Sequence, residues 1–439
     1  MSSKNLLMPH LARAVTSDGS KKLKRGWFEL RRKVSPSLNV VTFYHRVNDP
    51  YSYLLLQAIP RFLEDFNISL EIEFVLDLPD ELNPEQAKLE KYALEDAKRL
   101  ARFHNLVFPK TPVQPSPADT LKATSTLLKH RDRPKLLHLV TEVTSALWGI
   151  STTTFASCSN RYGGLSDKET RKQLKQAKDR LVNNGHYMSG MLHYGGEWYW
   201  GIDRLGHLAE RLGKPGIQRD TGDVADYQRQ YRHSLQGYNT LKRRPKHVET
   251  LDFYFSFRSP YSYIAAERIF KLADLYKFPV NIKPVMPMVM RGLSVPKAKR
   301  MYIVHDTKRE ANRYGIPFGK IADPLGGGVE RCLALFPYAK AKGKERAYIT
   351  SITTGIWSEG ADVCKDSVME ILLTRAGLDW NDAKTWINNE DWIPLAEKNK
   401  SDLNALGLWG VPSFKYGDTV VWGQDRLWAL EEAILSSDT

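Results

Sequence analysis

A serine hydroxyl presented at a strand-to-helix turn is the feature of this sequence best placed to do chemistry. In the stretch FYFSFRSPYSY, running from Phe253 to Tyr263, Phe253, Phe255 and Phe257 alternate with Tyr254 and Ser256, the period of two expected of a strand. Ser259 can cap the helix that Pro260 opens, where a missing N–H leaves no hydrogen bond unmade. Residues 264–274 then place apolar side chains at helical spacing. The N-terminus of such a helix favours an anion, so a thiolate or a carboxylate is the species Ser259 would serve. The plainer reading is that Ser259 only caps.

The same stretch occurs upstream as FYHRVNDPYSY, Phe43 to Tyr53, at a constant offset of 210 residues. Phe43, Tyr44, Pro50, Tyr51, Ser52 and Tyr53 recur as Phe253, Tyr254, Pro260, Tyr261, Ser262 and Tyr263. A later pair, Tyr194 to Leu205 and Tyr416 to Leu427, matches without a gap at an offset of 222, and Trp148 and Trp357 stand in similar contexts between the anchors. Three anchors in one order predict a tandem duplication of a domain of roughly two hundred residues.

The coarse elements follow that order. Strand 39–44, helix 51–66 and a strand within 70–78 are expected first. Helices 85–103, 120–147 and 166–183 come next, then a hairpin turning at Gly195-Gly196 and a helix over 203–212. The second copy repeats strand, helix and strand from Thr250 to Val289. A run of helices follows, then Gly410-Val411-Pro412, a hairpin turning at Gly417-Asp418, and a helix from Asp425. The expected divisions are a basic extension over 1–38, a domain over 39–212, a linker over 213–249 and a domain over 250–439. In the linker Tyr227, Tyr231 and Tyr238 have the spacing of a short docking helix. Gly326 to Gly328 has no following Lys-Ser/Thr, so a flexible loop is expected there in preference to a phosphate loop.

Charge and cysteines bound the function. The chain of 439 residues carries a net charge of +14, which suits an acidic small ligand. Half of that charge lies in the first 38 residues, where nine bases face Asp18 and Glu29. Such a run is either an arm for nucleic acid or an anionic membrane, or a solvated, partly helical extension. The second is preferred, since charge runs usually keep a surface soluble, and nucleic acid is not an expected partner. No transmembrane segment is expected, because no apolar run is long enough. Cys158, Cys332 and Cys364 form no C-x-x-C pair, so each is expected to be a small buried residue in a reducing cytoplasm. Histidines such as His45, His104, His186, His193 and His305 are scattered without metal-ligand spacing.

The second half resembles the 2-hydroxychromene-2-carboxylate isomerases and the kappa-class glutathione transferases, within the Dsb-type thioredoxin superfamily. The resemblance rests on the FYFSFRSPYSY stretch, Trp357, Gly410-Val411-Pro412 and the run WGQDRL from Trp422 to Leu427, and covers nearly all of 251–435. It implies an α/β fold, two tandem thioredoxin-like domains each with an inserted helical subdomain. It implies a glutathione cofactor whose sulfur is hydrogen-bonded by Ser259 as the catalytic residue. Val411 would pair with the cysteinyl unit, beside the family's cis-proline at Pro412, and Asp425 and Arg426 would meet the γ-glutamyl end. A cap with a salt-bridged neighbour is the plainer reading of Asp425 and Arg426. The implied activity is a glutathione-dependent isomerase or transferase acting on a small conjugated acid, by reversible thiolate addition to a double bond. The family's asparagine-bearing loop has no counterpart here; Arg291 to Pro296 stands there, with Ser294 as a substitute.

The first copy is expected to be inactive: Asp49 replaces the serine, and Ser189-Gly190 stands at the Val-Pro position. Family members are usually homodimers, so the resemblance admits an intramolecular pseudo-dimer or a homodimer. The competing reading is a non-catalytic thioredoxin-like binding or scaffold protein. Thiol–disulfide exchange is disfavoured because the motif holds no cysteine.

Overall fold

The computed structural model describes residues 4–35, 39–76, 78, 84–213, 217–219, 226–227, 229 and 245–436. By its internal contacts the chain divides into one unit over Arg25–Arg229 and another made of Met1–Lys24 with Gln230–Thr439.

In the first of these, β1 (Val40–His45) pairs in parallel with β2 (Ser69–Phe74) and antiparallel with β3 (Met191–Tyr194), which pairs with β4 (Glu197–Trp200). The order β2-β1-β3-β4 puts the strand that feeds the first helix at the centre. That helix, α3 (Pro50–Asp65), buries Tyr53, Leu55, Leu56, Ile59 and Phe62 against Phe43, Phe74 and Leu192 of the sheet. Between β2 and β3 lie α4 (Gln86–His104), α5 (Pro117–Lys129), α6 (Leu136–Leu147), α7 (Phe155–Tyr162) and α8 (Asp167–Asn183), and α9 (Leu205–Leu212) closes the unit. The single helix expected over 120–147 is two. Residues 130–135 are a polar run holding Pro134, which cannot donate and disfavours helix before it; Lys135 turns the chain at φ 62°.

The other unit has the order β6-β5-β7-β8 with the same pairing directions, from β5 (Leu251–Phe255), β6 (Val280–Pro284), β7 (Ser413–Tyr416) and β8 (Thr419–Trp422). Helix α10 (Pro260–Tyr276) follows β5. The insertion comprises α11 (Lys297–Tyr314), α12 (Gly327–Ala341), α13 (Glu345–Thr354), α14 (Asp366–Arg375), α15 (Trp380–Ala383) and α16 (Trp392–Ala405), and α17 (Leu427–Ser436) ends the unit. The glycine run expected as a flexible loop instead opens α12, with Gly326 at φ 81° before its first turn. Cys158 and Cys332 are buried, whereas Cys364 is exposed: it sits in a surface turn where its N–H bonds the Asp362 carboxylate at 3.2 Å.

The basic extension is two helices, each docked by one face. In α1 (Lys4–Thr16), Thr16 donates to the Gly319 carbonyl at 3.2 Å. In α2 (Asp18–Val34), Phe28 packs edge-on to Tyr194 at 5.2 Å, and Arg25 forks onto Glu197 at 2.6 and 2.7 Å. Of the linker tyrosines, Tyr227 donates to Asp65 at 2.6 Å and packs on Phe62 and Phe66. Tyr231 and Tyr238 lie outside the described residues. No helix among the described residues is long and apolar enough to cross a membrane.

Candidate functional site

Ser259 ends the loop after β5 with extended angles (φ −105°, ψ 111°), which turns its side chain back over the first turn of α10. Its Oγ accepts the Ser262 N–H at 3.1 Å and donates to the Val411 carbonyl at 3.3 Å. The cap and the candidate catalytic hydroxyl are therefore one group. Its donor bond is long for O–H···O, so the proton can turn to a stronger acceptor at the same place.

The peptide bond between Val411 and Pro412 is cis. Val411 is half-buried, and its N–H takes no hydrogen bond among the described residues. The segment is held on both sides. A Cβ at Gly410 would stand 2.7 Å from Trp422 Nε1, so only glycine lets that indole close over the loop. Arg291, in the turn Met288–Arg291 after β6, donates to the Trp409 carbonyl at 2.7 Å. Sequence reasoning singled out Ser294 in this region; that residue is exposed, and the residue reaching the cis-proline segment is Arg291. The signal available was an arginine in a short loop after the second strand, too general to select it.

Asp425 and Arg426 stand on the turn Gln424–Arg426 that leads into α17. Arg426 is buried and Asp425 half-buried. Beneath them Arg268 donates to the Gln424 carbonyl at 3.2 Å, and Gln424 donates to Glu310 at 2.8 Å. The corresponding Arg204 of the other unit is buried to the same degree. Arg426 is the more enclosed of the pair and Asp425 the more open.

Two further side chains shape the surroundings. Trp357 lies in a π-helical turn, Gly355–Glu359, and donates to the Phe257 carbonyl at 3.2 Å, which fixes the loop carrying Ser259. Tyr261 donates to the buried Asp306 at 2.7 Å and ties the first turn of α10 to α11.

At the equivalent turn of the unit over Arg25–Arg229, Asp49 is the cap of α3. Its carboxylate accepts the Tyr51 N–H at 3.0 Å and the Ser189 hydroxyl at 2.7 Å. Burial pushes the Asp49 carboxyl above the ordinary aspartate range, against the pull of Ser189 and Arg46. A cavity of about 50 Å³ opens beside it, lined among others by Arg46, Asn48, Met188 and Trp200. Trp148 donates to the Val47 carbonyl at 2.9 Å, and Tyr51 donates to Asp96 at 3.0 Å.

Comparison with known proteins gives these features a setting. Residues 250–435 match the DSBA-like thioredoxin domain family. The 2-hydroxychromene-2-carboxylate isomerase of Pseudomonas putida is 28% identical over 192 residues, spanning 42% of this chain and 93% of that protein. The isomerase of the same name from Sphingobium xenophagum is 27% identical over 198 residues, spanning 43% of this chain and 99% of that protein. A solved structure of a 2-hydroxychromene-2-carboxylate isomerase shares 27% identity over 42% of this chain and 94% of its own, with a TM-score of 0.38. Residues 250–435 thus carry a DSBA-like thioredoxin fold.

Proposed function

We propose that residues 250–435 form a glutathione-dependent isomerase acting on a small conjugated acid, with Ser259 holding the thiolate. The observation that carries this reading is the Ser259 hydroxyl itself: it stands at the N-terminus of α10, 3.3 Å from the Val411 carbonyl beside a cis-proline. A hydroxyl donor at a helix N-terminus stabilises a thiolate against its thiol. The other donors suit the same ligand. The Val411 N–H is open to a peptide carbonyl, as when an extended peptide adds to a strand. The Asp425 carboxylate suits an ammonium and the Arg426 guanidinium a carboxylate, the two charges of a γ-glutamyl end. Glutathione, if bound at these residues, would supply a thiolate able to add to a conjugated double bond, so that the resulting single bond can rotate before the thiolate is eliminated and the double bond restored. Ser259 would hold the sulfur's charge. The similarity to isomerases named for 2-hydroxychromene-2-carboxylate supports that acid as the first substrate to try.

We further propose that the unit over Arg25–Arg229 is a degenerate copy of this domain. Its strand order, its Tyr51–Asp96 bond and its Trp148 bond to the turn match those of Tyr261–Asp306 and Trp357. Its Asp49 would repel a thiolate, which supports a role other than the same chemistry.

The experiment is calorimetry with glutathione, paired with an isomerisation assay on 2-hydroxychromene-2-carboxylate. Wild-type protein should bind glutathione with an ultraviolet thiolate band that Ser259→Ala lacks. The variant's turnover should fall by roughly a hundredfold or more, the scale of losing one donor to a developing or resident anion. No heat at millimolar glutathione, or an unchanged Ser259→Ala, would sink the proposal and leave a binding protein as the better account.

A further inference from the structure

Helix α2 has a face that the fold leaves uncovered. Leu23, Trp27, Leu30 and Val34 are 78%, 64%, 59% and 84% exposed. At about 100° per residue the four fall within a wedge of roughly 60°. The helix docks by the opposite side: Arg25 on Glu197, Phe28 on Tyr194, and Glu29 on Arg211 at 2.6 Å. The exposed wedge is bordered on one side by Lys24 and Arg31 and on the other by Lys22 and Lys33, all exposed and none ion-paired among the described residues. The acids of the helix are engaged elsewhere, Glu29 with Arg211 and Arg32, and Asp18 with Asn312.

We propose that this face of α2 docks on an anionic lipid bilayer. An apolar stripe containing tryptophan, flanked by cations, matches the cross-section of a bilayer surface, where acyl chains lie between headgroup charges. The stripe would sink below the headgroups while the four cations reach sideways to them. Helix α2, 17 residues with seven bases, is too short and too charged to span a membrane, so it would lie in the plane. The other occupants fit less well. Two copies stacked through the stripe would bring their cationic borders together. Nucleic acid would set phosphates against the apolar centre of the face.

The test is flotation of the full chain with vesicles of phosphatidylcholine, with and without phosphatidylglycerol. Two double variants accompany it: Trp27→Ser with Leu30→Ser, and Arg31→Glu with Lys33→Glu. The protein should float with the anionic vesicles and bind neutral ones about tenfold or more weakly. The first variant should lose flotation on both, the second should lose the anionic preference, and both should unfold at the wild-type temperature since all four side chains are exposed. Failure of the wild type to float at low salt would overturn the proposal. So would equal flotation of the Trp27/Leu30 variant, which would mean attraction by charge alone. A dimer in sedimentation that this variant dissolves would replace the bilayer by a second copy of the chain, and tighter retention on duplex DNA than on vesicles would replace it by nucleic acid.

Discussion

His45 and Phe255 occupy the same position of the first strand in their two units, and the difference sets how each unit answers acid. His45 is fully buried, with Nδ1 2.8 Å from the Ser52 hydroxyl and Nε2 3.2 Å from that of Thr144. Burial pulls its imidazole down to about 3. An unfolded histidine takes up a proton near pH 6.5. Between those values the unfolded chain binds a proton that the folded unit refuses. The stability tied to this group is therefore whole above about pH 6.5 and falls as pH drops, by up to about 1.4 kcal/mol per pH unit. His45→Phe should lower stability at pH 7 by roughly 1–3 kcal/mol, because two buried hydroxyls lose a partner. It should also flatten the decline between pH 6.5 and 4.5, read by urea unfolding at several pH values; an unchanged slope would show that another group carries the acid response. At this scale the sequence was informative about Ser259, whose cap and candidate chemistry follow from local order alone. It was silent about Arg291 and the burial of Arg426, because each depends on what the fold brings across from distant segments.

Elements are legible where their signal is local and lost where it is not. The strand-to-helix turn, the hairpins at Gly195-Gly196 and Gly417-Asp418, and the helix at Gln86–His104 all rest on periodicity and turn residues within one window. The break between α5 and α6 turned on one proline inside an otherwise helical pattern. Long-range pairing shows a relation no window contains. On one sheet β2 is tied to α8 by Glu73 and Arg180 at 2.7 Å; on the other β6 is tied to α16 by Lys283 and Asp402 at 3.1 Å. The positions correspond and the charges are exchanged. Although burial pulls the Lys283 ammonium down, its bonds to Asp402 and Asp252 hold it above the ordinary lysine range. Lys283→Glu should therefore destabilise its unit by roughly 2 kcal/mol or more, since it faces two carboxylates across a mostly buried gap. Combining it with Asp402→Arg and Asp252→Thr, which reproduces Glu73, Arg180 and Thr42, should restore more than half of that loss in thermal unfolding. A triple variant no better than the single would refute the exchange as the reason.

At the scale of the molecule, each unit has its own sheet and its own buried aromatic core, around Phe43, Phe62 and Phe74 in one and Phe253, Phe270 and Phe414 in the other. Two cores without a common sheet should melt separately, so calorimetry at pH 7 should resolve two transitions. Lowering the pH to 5 should move the transition of the unit holding His45 to lower temperature more than the other. A single transition that shifts as one would contradict this. The exchanged ion pair has one more consequence, for the path to the native state. Two sheets of the same order on one chain invite a strand of one unit to assemble with helices of the other, a failure that repeated architectures are prone to. In such a hybrid Glu73 would meet Asp402, and Lys283 would meet Arg180, so each wrong assembly sets like charges face to face. The reversal of one bridge would thus work as a lock and key during folding, setting each half against the other's pieces while the two halves keep the same plan.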